Sequence, residues 1–375
     1  MNSSWIPSIR IDNRYAGGNI QVLSVEEKRV VLKQEMRDTS GWWFYWNFAA
    51  LAANPKTVTF AFADGEVIGP WGPAVSEDGV HWQWLGAASL FSRNEFSYTF
   101  RHAGEKVYFC FCIPYQLHHF ERYYARIGGY RNVKRELLTE SELLKPVPLL
   151  TLGNRMADRH MFFTARHHAC ESTPLYVLEG LIEALLTAES SPVLERYLVH
   201  FIPFIDIDGV ENGDQGKSRL PHDHNRDYTD TPIYRSTTAL INYAIGVQPE
   251  IAIDFHGPFK WGDRNDVPFF VNRHSPLKEE VNNLSGKLEK ISGARSQADA
   301  IRHKSIDNLS MGEDWNQPNP ATCASFFERS GARLACSFEF PYFGSTDAVP
   351  VTADNSRRFG HDFARALEQY VENID

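Results

Sequence analysis

The sequence predicts an antiparallel β-sandwich followed by an α/β unit whose mixed, mainly parallel sheet is flanked by helices. Three observations lead there. Short aromatic and β-branched runs broken by turn signals fill the first 115 residues or so, the pattern of an all-β unit. Beyond residue 119 strand-like and helix-like segments alternate, as they do in a largely parallel sheet. The chain, at 375 residues, is also long for one domain, so a division into 1–118 and 119–375 is expected.

In the first unit "WWFYWNFAAL" and "TVTFAFADG" read as strands, with a turn at Asp64-Gly65. "FSYTFRHAGEKVYFCFCIPY" reads as a hairpin about "HAGE". No nucleotide loop, catalytic cluster or repeat occurs there, so support or substrate presentation is its expected role. Farther on, "LHHFERYYARI" and "ELLTESELLK" have helical spacing, and Pro146 and Pro148 then break the chain. "HMFFTARH" reads as a strand. "TPLYVLEGLIEALLTAES" sets Leu178, Leu181, Ile182 and Leu185 on one helical stripe, with Pro174 in its first turn. "YLVHFIPFIDIDG" reads as a buried strand ending at Asp208-Gly209, "TTALINYAIG" as a helix, and "EIAIDFHG" as a strand ending at His256-Gly257.

Composition bounds the function. Hydrophobic residues make up 43% of the chain, enough for a packed core, and the formal charge of −9 argues against nucleic acid or an anionic membrane as the main partner. No apolar run is long enough for a membrane helix, and "MNSSWIPSIRIDNRY" lacks the segments of a secretory leader. Cys110, Cys112, Cys170, Cys323 and Cys336 form neither a disulfide framework nor the paired spacing of a structural zinc site. A reduced, cytoplasmic protein is expected, which makes the sequon-like Asn283-Leu284-Ser285 chance.

Sites in open α/β sheets gather at the carboxyl ends of strands. His168 and Glu171 follow "HMFFTAR", His256 follows "EIAIDF", and Glu339 lies in the apolar run "LACSFEFPYFG". Two imidazoles and a carboxylate leave a zinc ion one open position, the ligand number of a catalytic site. A carboxylate flanked by Phe338 and Phe340 must be paired, face solvent or serve chemistry, and such surroundings raise its pKa as a general base requires. The polar loop "GDQGKSRLPHDHNRDY" carries Lys217, Arg219 and Arg226, and a guanidinium beside an amide, as in Asn225-Arg226, suits a carboxylate. His222 and His224 in the same loop are a weaker metal pair than the strand-end set.

These residues resemble the zinc metallocarboxypeptidases, and more closely their cytosolic carboxypeptidase branch. "ARHHACE", "DGVENG", "HNRDY", "DFHG" and "SFEF" stand in that family's order, and "GWWFYWNFAA" and "FCIPYQLHHFERYYARI" are similar to its N-terminal sandwich. The resemblance implies one zinc per chain on His168, Glu171 and His256. It makes Glu339 the general base, Asn225 and Arg226 the grip on a peptide's terminal carboxylate, and Arg219, with Lys217 close behind, the cation at the carbonyl. It also implies a peptide or protein C-terminus as substrate. H-A-C-E sets Cys170 beside the ligands, and Asp206-Ile207-Asp208-Gly209 replaces N-P-D-G. The substrate-covering tyrosine has no counterpart between Tyr243 and Tyr342, where Trp315 and Phe327 are the aromatic residues noted. Lys260, in "GPFKW", would favour an acidic C-terminal side chain. Two other readings stand beside this one: a zinc amidohydrolase acting on N-acyl amino acids, and a non-catalytic binder of C-terminal tails.

Overall fold

The computed structural model describes residues 8–41, 43–345 and 349–374, so Trp42 of the aromatic run and the first residues lie outside the described set. Ten strands make up the N-terminal part: β1 (Ile9–Asp12), β2 (Gln21–Val25), β3 (Arg29–Lys33), β4 (Asn47–Ala52), β5 (Lys56–Phe62), β6 (Ala74–Ser76), β7 (Gln83–Trp84), β8 (Leu90–Ser92), β9 (Glu95–Phe100) and β10 (Lys106–Cys110). One sheet runs β1-β4-β10-β6-β7 and the other β2-β3-β5-β9-β8. All pairings are antiparallel except β3–β5, because the chain visits the other sheet through β4 between those two strands. Trp46, Phe48, Phe60, Phe96 and Phe109 interlock between the sheets. The hairpin expected about "HAGE" is a corner instead. β9 and β10 belong to different sheets, and the Glu105 carboxylate accepts from the backbone N–H groups of Arg101 (2.5 Å) and His102 (3.3 Å) to turn the chain across.

The second part comprises α1 (Leu117–Ile127), β11 (Val133–Glu140), β12 (Pro146–Gly153), β13 (Arg159–Ala165), α2 (Thr173–Thr187), α3 (Pro192–Arg196), β14 (Tyr197–Ile202), α4 (Ile207–Asn212), α5 (Arg235–Val247), β15 (Ile251–His256), β16 (Phe269–Val271), α6 (Leu277–Gly293), α7 (Cys323–Arg329), β17 (Leu334–Glu339) and α8 (Ala353–Glu372). Seven strands form one sheet in the order β11-β12-β14-β13-β15-β17-β16. Its four central strands are parallel and its three outer pairings antiparallel. "ELLTESELLK" is not helical: its first half belongs to edge strand β11, whose Leu137 faces solvent, and a short run of paired leucines does not separate period 2 from 3.6. "YLVHFIPFIDIDG" leaves the sheet at Ile202, because Asp206 accepts from the Gly209 backbone N–H at 2.9 Å and starts α4.

The two parts share one apolar core; Phe44 and Phe111 of the first pack against Tyr342, and Phe111 against Phe343 as well. Polar stitches join them too. Asn19 donates to the Gly213 carbonyl (2.9 Å), the Phe44 N–H to Gln215 Oε1 (2.8 Å), the Ser40 N–H to the Ser218 carbonyl (2.9 Å), and the Leu220 N–H to the Asp38 carbonyl (2.9 Å). Loop 213–220 therefore lies along the sandwich edge.

Helices α2 and α8 approach backbone to backbone: a Cβ on Gly180 would stand 2.0 Å from the Arg357 carbonyl oxygen, and one on Gly360 2.1 Å from that of Val177. Gly360→Ala should therefore destabilise the protein by about 2–3 kcal/mol. Gly246→Ala, on an exposed turn of α5 with open space around it, should stabilise by roughly 0.5–1 kcal/mol. Urea unfolding of the two variants would check this opposition in sign.

Candidate active site

At the end of β13 Arg166 turns the chain with a left-handed backbone, φ 59°. Its buried guanidinium holds that turn, donating to the carbonyls of Tyr115 (2.6 Å) and Ala169. Loop 213–220 presses on the same turn: Gly216 has φ 80°, and any Cβ there would meet the Ala169 nitrogen at 2.3 Å. The Cys170 N–H completes the contact by donating to the Gln215 carbonyl at 3.0 Å.

This turn carries His168 and Glu171. His168 Nδ1 is 2.8 Å from Glu171 Oε1, and His256 Nδ1, at the end of β15, is 2.9 Å from Glu171 Oε2. Candidate ligand atoms of the three side chains lie within 4.8 Å of one another. The far ring nitrogens also meet carboxylates: His256 Nε2 is 2.6 Å from Asp254 Oδ2, and His168 Nε2 is 3.5 Å from Asp223 Oδ1. Such outer carboxylates fix the tautomer and orientation of imidazoles that face a metal. The donor set therefore fits a catalytic zinc ion, with a position left open. Glu339 stands directly opposite His256 in the β15–β17 register, and among the described residues its Oε2 has no hydrogen-bond partner.

Lys217 reaches the same centre. Its ammonium lies 2.9 Å from Glu171 Oε1 and donates to the carbonyls of Gly257 (2.8 Å) and Pro258 (3.0 Å). Burial disfavours a charged Glu171, but Lys217, His168 and His256 outweigh it and hold the carboxyl well below its usual range. Glu339 goes the other way: burial, opposed by His256 and reinforced by Glu171, lifts its carboxyl from 4.5 to about 7.

These groups line a cleft of about 500 Å³ that also contains Asn225 and Arg226. Asp223 caps their short turn by accepting from the Asn225 N–H at 2.9 Å. Asn225 Nδ2 lies 3.3 Å from His256 Nε2, while Asn225 Oδ1 accepts from the Cys323 N–H at 2.9 Å. Arg226 donates to the Asn225 carbonyl at 2.9 Å. Arg273, on the far wall, is anchored by Glu328 and by Ser325 Oγ at 2.8 Å. At the mouth stands Trp315, 59% exposed, on a loop fastened by Asn316, which donates to the Asn272 carbonyl at 3.0 Å.

Several expected residues lie elsewhere. Arg219 is outside the cleft, clamped by Asp38 (2.8 Å), Asp206 (2.9 Å) and Asp214 (3.0 Å) along the sandwich edge. Cys170 turns away from the ligands to within 3.4 Å of the Tyr342 hydroxyl. Lys260 donates to the Glu66 carbonyl at 3.0 Å, 4.5 Å from the Trp261 ring centre, and does not line the cleft. His222 pairs with Asp227 at 2.7 Å and His224 stacks on Tyr234 at 3.7 Å. Among the described residues a second grouping of donors, His167, Asp254 and Cys323, is fully buried behind His256. It is already bonded: His167 Nε2 to the Tyr228 hydroxyl at 2.6 Å, and Thr164 Oγ1 to Asp254 at 2.7 Å. Asp254 could have been found from its i, i+2 spacing to His256, which puts both on one face of a strand; Arg273 and Asp223 carry no such signal.

Several solved structures are similar over nearly the whole chain. A metallo-carboxypeptidase from Burkholderia cenocepacia covers 98% of this chain and all of its own at TM-score 0.78 and 16% identity. Another from Pseudomonas aeruginosa, in complex with (2-guanidinoethylmercapto)succinic acid, has the same coverage at TM-score 0.80 and 18% identity. The chain has the metallocarboxypeptidase fold. In sequence it is similar to an uncharacterized protein of Zymomonas mobilis, 24% identical over 67% of this chain and 68% of that one. It is also similar to cytosolic carboxypeptidase 6 of Caenorhabditis elegans (27% identical, 40% of this chain) and cytosolic carboxypeptidase 1 of Danio rerio (26%, 43%). The matched stretch spans 37% and 16% of those two proteins. No family model matches. On a metallocarboxypeptidase fold, the clustering of His168, Glu171 and His256 at adjacent strand exits supplies a reason for the loop geometry just described.

The lifted Glu339 carboxyl has a measurable consequence in the metal-free protein. The folded state keeps a proton there that the unfolded chain releases above about pH 4.5. The associated stability is present below 4.5 and is lost as pH rises through about 7. Glu339→Gln cannot ionise, so its melting temperature relative to wild type should climb between pH 4.5 and 8 in chelator-treated samples. A difference independent of pH would show an ordinary carboxyl.

Proposed function

We propose that the protein is a zinc-dependent metallocarboxypeptidase that hydrolyses the C-terminal amide bond of a peptide or protein, and that it works in the cytoplasm, as the names of its relatives suggest. The observation that carries this reading is the cleft's combination of a His168–Glu171–His256 donor set, an unpartnered Glu339 carboxylate in register with His256, and the Arg226 cation. An ion on the three donors would supply a Lewis acid for the scissile carbonyl and a more acidic water.

The chain's own residues supply the rest. Glu339 accepts the proton from the attacking water and passes it to the leaving amine, a task matched to a carboxyl near 7. Arg226, with the Asn225 amide beside it, receives the substrate's terminal carboxylate. Lys217, and not Arg219, is the cation for the developing oxyanion: it reaches the centre, whereas Arg219 is committed to three carboxylates. Arg273, beside Ser337 and Thr322, gives the far wall a cationic group suited to an acidic C-terminal side chain, the role that Lys260 does not fill. Trp315 offers the substrate an aromatic face without a phenolic proton.

Purified protein should bind about one zinc per chain, and His168→Ala should lose it; elemental analysis finding none in wild type after zinc is supplied would remove the reading. Glu339→Gln should keep the metal and lose about 10³-fold in kcat. Amidating the substrate's C-terminus removes the partner of Arg226 and should cost roughly 100-fold in kcat/KM. Full activity on the amide would favour the acyl-amino-acid hydrolase, and tail binding without turnover by wild type the non-catalytic binder.

A further inference from the structure

Where the sandwich meets α1, α2 and α8 there is a second cavity, about 790 Å³, which shares no lining residue with the cleft. Its wall combines aromatic rings with four arginines and three carboxylates, Glu179, Asp299 and Asp354. Trp82, Trp84, Tyr123 and Tyr176 contribute rings to it. Three of its arginines are already satisfied: Arg126 by Glu183 (2.8 Å), Arg357 by Glu179 (2.7 Å) and Arg358 by Asp299. Both Glu179 oxygens accept, one from Arg357 and the other from the Tyr115 hydroxyl at 2.7 Å.

Three donors on this wall remain unmatched among the described residues. Arg122, exposed on α1, makes no ion pair or hydrogen bond. The indole N–H of Trp82 has no acceptor. His119 is only 8% exposed, and its Nε2 also lacks a partner. Its Nδ1 accepts the Gln116 backbone N–H at 3.1 Å, which puts the ring proton on Nε2. Burial, then the neighbouring His118 and Arg122, push its pKa down to about 3, so the ring is a neutral donor at working pH. A buried donor left without an acceptor is destabilising. The wall's own carboxylates, Glu179, Asp354 and Asp299, are already engaged by Arg357 and Arg358, so an acceptor for these donors has to come from outside.

We propose that the cavity is a binding site for a small molecule with a flat apolar body and an anionic group, a carboxylate or a phosphate. The anionic group pairs with exposed Arg122 and takes up the enclosed N–H groups of His119 and Trp82 as the wall yields to it, while the body lies on the aromatic rings. This site is independent of the chemistry assigned to the cleft.

Calorimetric titration of the full chain tests it, with phenyl phosphate, phenylacetate, inorganic phosphate and benzyl alcohol as probes. The protein is used in the Arg226→Ala background, which removes the cleft's own carboxylate-binding arginine. One saturable site should remain for at least one aromatic anion, at least about tenfold tighter than for inorganic phosphate or the alcohol. The preference between phenyl phosphate and phenylacetate identifies the anionic group. Adding Arg122→Glu should weaken binding by at least about tenfold, and adding Trp82→Phe, which keeps a ring and loses the N–H, by about fivefold. The proposal is overturned by equal binding of benzyl alcohol, by binding that survives both substitutions, or by no binding of either aromatic anion at millimolar concentration. Trp82→Phe is conservative enough to fold, so the test does not hang on Arg122→Glu.

Discussion

The Glu171 carboxylate is the group on which the cleft depends. It is almost completely buried, and a charge in that position is tolerated only if it is paired. Its pairs arrive from three separate places: His168 from its own turn, His256 from the neighbouring strand, and Lys217 from the loop that runs along the sandwich. The strand order does the positioning. Because β13, β15 and β17 are parallel neighbours, their exits deliver Glu171, His256 and Glu339 side by side without any long side chain having to reach. Two carboxylates near each other then acquire opposite properties. Glu171 takes the cations and stays ionised; Glu339 stands beside that negative charge in an apolar wall and holds its proton more tightly.

The sandwich is part of the same construction. Its edge fixes loop 213–220 through backbone and side-chain bonds, and that loop both supports the His168 turn and supplies Lys217. Arg219 is an element of this fastening, held by Asp38 on one side and by Asp206 and Asp214 on the other. The basic residues of the loop have therefore divided their work, one facing the cleft and one locking the loop that presents it.

Much of this could be read from residues alone. The alternation of "HMFFTARH", "TPLYVLEGLIEALLTAES" and "EIAIDFHG" gave the central strands and α2, and the candidate donor set was read from where those strands end. Legibility failed where the decisive contact was long-range. Nothing local distinguishes Lys217 from Arg219 two residues on; the distinction is made by Asp38, Asp206 and Asp214. "FSYTFRHAGEKVYFCFCIPY" has the alternation of a hairpin, yet its two strands go to opposite sheets, because alternation says which face is buried and not which neighbour is paired. Arg273 follows a three-residue edge strand with no motif around it, and only the folded sheet turns it toward the cleft.

The order of the strands in the sheet also fixes when the cleft can exist. β17 lies between β15 and β16, so both of its neighbours are synthesised before it. His168, Glu171 and His256 have left the ribosome by then, but the wall that carries Glu339 has not formed. A chain stopped short of β17 would thus carry His168, Glu171 and His256 without the carboxylate that stands across from them. The complete cleft therefore exists only in a chain extended past β17.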